Sequence, residues 1–150
     1  MLLSPHFDQS EFEQDGPLPE ECIPVVRRFC LSVLEPIREQ FGAFKITSAR
    51  RTEEANTEAH GQPNSEHLYT AEHCAVDGYV PHQQSRPVFD WIRENPKLPF
   101  HQLILEHDAN GFSILHISMN VAMPGVRSVL EGATHNAEKY TPVDHVAFAV

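Results

Sequence analysis

Apolar residues recur at steps of three and four from Glu20 to Phe41: Cys22, Ile23, Val26, Phe29, Cys30, Val33, Leu34, Ile37 and Phe41. That spacing lines one face of an amphipathic helix, with Pro24 tolerated in its first turn, Pro36 kinking it and Gly42 ending it. Ahead of it, Ser4 to Phe12 forms a short segment anchored by Phe7 and Phe12, and Gly16-Pro17-Leu18-Pro19 breaks the chain. Period-two alternation then predicts strands over Phe44–Ser48 and His73–Val80. The second places His73, Ala75 and Asp77 on one face and Cys74 and Val76 on the other. Between them Ala49–Glu66 is polar, with a short helix expected near Thr52–Ala59 and closed by Gly61. Ser85 is expected to cap a helix that has Pro87 in its first turn and buries Phe89, Trp91 and Ile92. It runs to about Asn95, before Pro96 and Pro99. Gln102–Glu106 and Ser113–Ile117 are apolar strands joined through Asn110-Gly111, a hairpin signal. Beyond Met119 the periodicity fades, leaving a short helix expected near Val126–Leu130 and an edge strand at Asp144–Val150. These elements predict one α+β domain over residues 1–150, with helices flanking a small antiparallel sheet.

At 150 residues, 41% of them hydrophobic and nine of them Phe, the chain can bury a real core. Its formal net charge of −10 argues against nucleic acid as a partner, because a phosphate-binding surface needs a basic patch. Three cysteines, Cys22, Cys30 and Cys74, make no disulfide framework. Cys22 and Cys30 lie about two helical turns apart, too far to bridge, so all three read as buried thiols. No apolar run approaches the roughly 20 residues of a membrane span. The N-terminus lacks a charged segment followed by a long apolar stretch, so no secretory signal is expected. Synthesis in the cytosol is therefore expected, and work elsewhere would require release or carriage.

Candidate chemistry concentrates in three places: His67 after Asn64-Ser65-Glu66, Asp77 after Cys74-Ala75-Val76, and His116 within Ile114-Leu115-His116-Ile117-Ser118. Two histidines and a carboxylate are the ligand set of an open zinc site, with a position left for water. Glu106, on the partner strand of the hairpin, is placed to share a cleft with His116 and to act as general acid and base. Arg51, in the loop after the first strand, suits paired hydrogen bonds to a substrate carboxylate. Plainer readings stand beside these. With ten histidines, chance placement is easy; Glu106 also fits a salt-bridged strand end, and Arg51 a pin for its own loop.

These motifs, in order, resemble the zinc D-alanyl-D-alanine carboxypeptidase family, whose fold is shared with L-alanyl-D-glutamate endopeptidases and the hedgehog signalling domain. The similarity runs from Leu3 to about Leu130, leaving 131–150 as a C-terminal extension. It begins at Ser4-Pro5-His6-Phe7 and Ser10-Glu11-Phe12 and continues through Leu34-Glu35-Pro36-Ile37-Arg38 and Ile46-Thr47-Ser48-Ala49-Arg50-Arg51. Asn56, Gly61, Ser65-x-His67 and Ala75-x-Asp77 follow, then Trp91-Ile92-Arg93-Glu94-Asn95, Gln102-Leu103-Ile104-x-Glu106 and His116-Ile117-Ser118. The resemblance implies a hedgehog/DD-peptidase-like fold and a Zn2+ ion held by His67, Asp77 and His116. It also implies Glu106 as catalytic base, Arg51 and Ser65 at the substrate, and peptidoglycan peptides as that substrate. This chain departs from the pattern in three places. About three extra residues separate His67 from Asp77, and His73 replaces a glycine, which makes His73 an alternative ligand. Ser113 stands where many relatives have an acid, and Ala49-Arg50 replaces Gly-Tyr before Arg51. Action at the bacterial cell wall after release, or in a phage virion, would follow. The rival expectation is a virion structural or assembly protein, partnered by virion proteins, on the same fold with a silent site.

Overall fold

The stretch from Glu20 to Phe41 is continuous helix in the computed structural model, which describes residues 1–134 and 139–149. A 3-10 turn at Glu20–Cys22 leads into α1 (Ile23–Phe29), a π-helical turn at Cys30–Leu34, and α2 (Glu35–Phe41). The expected disruption at Pro36 takes the form of that widened turn. Proline has no N–H to donate, and the turn before it bonds five residues back, Glu35 N–H to the Cys30 carbonyl. The buried stripe continues unbroken through Phe29, Cys30, Val33, Leu34 and Ile37. Gly42, at φ +98°, ends the helix with its N–H on the Arg38 carbonyl. At the N-terminus, β1 (Leu2–Ser4) pairs antiparallel with β2 (Phe7–Asp8), and an Asp8–Glu11 capping box closes the turn that buries Phe12.

The remaining strands form one six-stranded sheet in the order β3-β4-β6-β5-β7-β8. Its members are β3 (Lys45–Ser48), β4 (His73–Tyr79), β5 (Gln102–His107), β6 (Ser113–Asn120), β7 (Ser128–Ala133) and β8 (Thr141–Pro142). The short helix α3 (Glu53–Glu58) sits between β3 and β4, capped by the Thr52 side chain, and α4 (Ser85–Arg93) sits between β4 and β5. Side-chain parity divides the sheet. Cys74, Val76, Leu103, Leu105, Leu115, Ile117, Met119 and Val129 share one hydrophobic cluster with Val26, Phe29, Phe89 and Ile92 of the helices. Ala75, Asp77, His116, Ser118 and Glu106 belong to the opposite face. All three cysteines are buried and free. Among the described residues, no helix is long and apolar enough to cross a membrane.

Three local expectations are corrected. The segment expected as a helix near Val126–Leu130 contributes instead to β7, which runs parallel to β5 and makes the sheet mixed rather than antiparallel. Its apolar spacing fits a helical turn, but β5 offers a free edge, and pairing there buries Val129 beside Leu103. The tail strand is Thr141–Pro142, antiparallel to β7. Residues 144–149 are held at the end of α4 instead, through Val146 N–H to the Arg93 carbonyl (3.1 Å) and Ala149 N–H to the Pro96 carbonyl (2.8 Å); Val150 lies outside the described residues. Ser85 does not cap α4. Gln84 precedes the first turn, and the Ser85 hydroxyl donates to the Ser113 carbonyl at 2.6 Å, joining α4 to β6.

Candidate metal centre

Asp77 on β4 and His116 on β6 are directly paired in the antiparallel register, so both project from the same face. His67 arrives from the loop between α3 and β4. That loop is bound to the sheet by its own backbone and by its neighbour: Arg51 N–H donates to the His67 carbonyl (2.8 Å). Glu66 accepts from the Ser118 hydroxyl and the Asn120 amide. His67 Nδ1 lies 2.7 Å from the Ala49 carbonyl, which fixes that nitrogen as a donor and turns Nε2 inward. The three ligand atoms then form a nearly equilateral triangle. His67 Nε2 is 3.1 Å from Asp77 Oδ1, His116 Nδ1 is 3.0 Å from the same oxygen, and the two imidazole nitrogens are 3.2 Å apart. All three residues are buried.

That triangle fits a divalent cation. Ligands on bonds of about 2.0–2.1 Å in a tetrahedron stand about 3.3–3.4 Å apart, close to the sides observed. The centre of the group also calls for a donor or a cation. With Nδ1–H of His67 committed to a carbonyl, a neutral His67 presents only a lone pair, and it faces a carboxylate oxygen and another ring nitrogen. Either a hydrogen on His116 Nδ1 or a bound cation stands between them. Burial opposes ionisation of Asp77, but the charge of His67 and hydrogen bonds from both imidazoles hold its carboxyl far below the usual range. Burial likewise works against a charged His116, yet Asp77 outweighs it and raises the imidazole above its ordinary value. His116 Nε2, the nitrogen away from the group, is buried with no hydrogen-bond partner among the described residues.

Around this group the expected residues sort differently. Arg51 is turned inward. It donates to Asp77 Oδ2 (3.0 Å), to Ser48 Oγ (3.2 Å) and, at the long limit, to Asn56 Oδ1 (3.5 Å). The contacts observed for it are therefore those of a pin on Asp77, not a free fork for a substrate carboxylate. Ser65 supports the turn, its hydroxyl accepting the His67 backbone N–H at 3.2 Å. His73 is outside the group. Its Nε2 meets the Leu68 carbonyl (2.9 Å) and its Nδ1 the Thr70 hydroxyl (3.2 Å), so it ties down the extra residues between His67 and Asp77. The group of three among the described residues contains His67 and not His73.

Glu106 shares the site face. Ile104 lies opposite His116 and Glu106 opposite Ile114, which makes Glu106 a diagonal neighbour of His116 at about 7–8 Å between backbones. Its Oε2 accepts a 2.7 Å hydrogen bond from the Tyr140 hydroxyl. Tyr140 and Glu66 were not expected at the site. Glu66 carries a signal in its adjacency to His67, whereas Tyr140 lies in a tail without periodicity and carries none.

Comparison with protein-family models, with curated proteins and with solved structures finds no match. Fold and site together define an α+β protein with a buried His67-Asp77-His116 group able to bind a metal ion.

Proposed function

We propose that the chain is a zinc metallopeptidase of the D-alanyl-D-alanine carboxypeptidase type, with a hedgehog/DD-peptidase-like fold, which hydrolyses peptide bonds of bacterial peptidoglycan. The observation that carries this reading is the triangle of His67 Nε2, Asp77 Oδ1 and His116 Nδ1, with Glu106 on the same sheet face. Two imidazoles and one carboxylate favour zinc and leave a fourth position open. Bound zinc supplies a Lewis acid that polarises the scissile carbonyl and brings the pKa of water down to about 7. The chain does the rest. The Ala49 carbonyl and Arg51 hold His67 and Asp77 in their ligating orientations, as such outer contacts do. Glu106 takes the proton of the attacking water and returns it to the amine nitrogen as the carbon–nitrogen bond breaks. Peptidoglycan is favoured by the ordered family motifs of residues 3–130, and the place of action is the cell wall after release, or the virion.

A second reading, a virion assembly protein with a silent site, is favoured by Val121, Met123 and Val126, all exposed on the segment before β7. Metal analysis and digestion of purified peptidoglycan separate the two. The peptidase binds about one zinc per chain, loses it in His67→Ala and His116→Ala, and releases new amino groups from the polymer. Glu106→Gln keeps the zinc and loses activity by about 10²- to 10⁴-fold. A folded protein that takes up no zinc and leaves peptidoglycan intact would refute it.

A further inference from the structure

Glu106 is reached by a residue from far along the chain. The register sets Glu106 opposite Gly132 between β5 and β7, and Leu130 and Glu131 opposite Pro142 and Thr141 between β7 and β8. Extending that register by one residue places Tyr140 opposite Gly132, so Glu106, Gly132 and Tyr140 form one row across three chain segments. Two strand spacings of about 4.8 Å separate the outer members, too far for ordinary neighbours. The phenol crosses because the residue between has no side chain. A Cβ on Gly132 would lie 2.2 Å from Tyr140 Cδ1 and 2.9 Å from Cε1, so the ring occupies the glycine's slot. From there its hydroxyl donates to Glu106 Oε2 at 2.7 Å. The partner of Glu106 is thus a phenol lodged in a gap made for it.

We propose that Tyr140 is a positioning residue for Glu106. Its hydroxyl fixes the carboxylate through one oxygen and leaves the other to handle the proton during hydrolysis, and Gly132 is the residue that lets it do so. This rests on the peptidase reading above. A carboxylate on an extended, half-exposed side chain has several rotamers, and a single fixed donor selects one of them.

The test uses the full, zinc-loaded chain with soluble peptidoglycan peptides. Tyr140→Phe keeps the ring in its slot and removes only the hydroxyl. It should lower kcat by about 10- to 100-fold with zinc content unchanged and KM within about twofold. Gly132→Ala, which keeps the hydroxyl but displaces the ring, should lose as much, and the double variant no more than either. A second arm does not depend on activity. Burial and the Glu106 carboxylate push the Tyr140 phenol up. Glu106→Gln should therefore let a tyrosine ionise at lower pH in a near-ultraviolet titration, a change that vanishes in the Tyr140→Phe background. Wild-type activity with an unaltered Tyr140→Phe kcat overturns this inference alone, as does a Glu106→Gln titration that does not depend on Tyr140. An inactive wild type overturns the peptidase reading, and this inference with it.

Discussion

Asp77 divides its two oxygens between different neighbours. Oδ2 faces the Arg51 guanidinium and Oδ1 faces two imidazoles. The arginine thus neutralises the carboxylate from behind and holds Oδ1 toward the group. Arg51→Met should leave the fold intact while weakening zinc binding by about 10- to 100-fold, measured by competition with a chromogenic chelator; unchanged affinity would show that Asp77 is held by its strand alone. The same residues set a pH dependence. His116 is raised in the metal-free protein, so its contribution to stability is complete below its ordinary 6.5 and lost as pH rises through its folded value. Asp77 is depressed, so its contribution is present above its ordinary 3.8 and lost as pH falls through its folded value. Zinc requires the deprotonated ligands, and its affinity runs the other way. Scanning calorimetry should show the metal-free Tm falling as pH rises above 6.5, while the increment added by zinc grows. An increment that shrinks with rising pH would contradict the ligand assignment.

Among the elements, β4 is the one on which the site depends most, since it bears Asp77 between β3 and β6. Gly78 follows immediately, and a Cβ there would lie 2.3 Å from the Lys45 carbonyl oxygen and 2.5 Å from the Phe44 ring. Backbone cannot yield as a flexible side-chain tip can. Gly78→Ala should cost on the order of 2 kcal/mol in urea unfolding and disturb β3 and its Arg51 loop before the core. This element also shows what a pattern can and cannot convey. The alternation from His73 to Val80 predicts which residues share the Asp77 face, because period two follows from strand geometry alone. It says nothing about neighbours, and only the β4–β6 register seats Asp77 against His116. The spacing of Val126, Val129 and Leu130, at i, i+3 and i+4, predicts a helical turn. The free edge of β5 settles the matter in favour of a strand.

At the scale of the whole molecule, the tail is bound back to the body through two arginines. Arg93 donates to the Asp144 carbonyl, and Arg127 donates to the carbonyls of Asn95, Leu98 and Val146 while lying over the rings of Phe100 and Phe148. Arg127→Ala should destabilise the fold by about 2 kcal/mol and raise hydrogen exchange across residues 144–149, with zinc binding retained. Exchange in that segment equal to wild type would mean that the backbone bonds from Val146 and Ala149 suffice.

Local periodicity and turn signals determined the helix from Glu20 to Phe41 and the β5–β6 hairpin, because both depend on neighbours close in the chain, and the residue types themselves singled out the candidate ligands. The tertiary structure decided that β7 lies parallel to β5, that Arg51 faces Asp77, that His73 stays outside the group, and that Tyr140 reaches Glu106 across Gly132. Those outcomes rest on contacts between residues far apart in sequence. Strand order and register create them, and no repeating pattern along the chain records either.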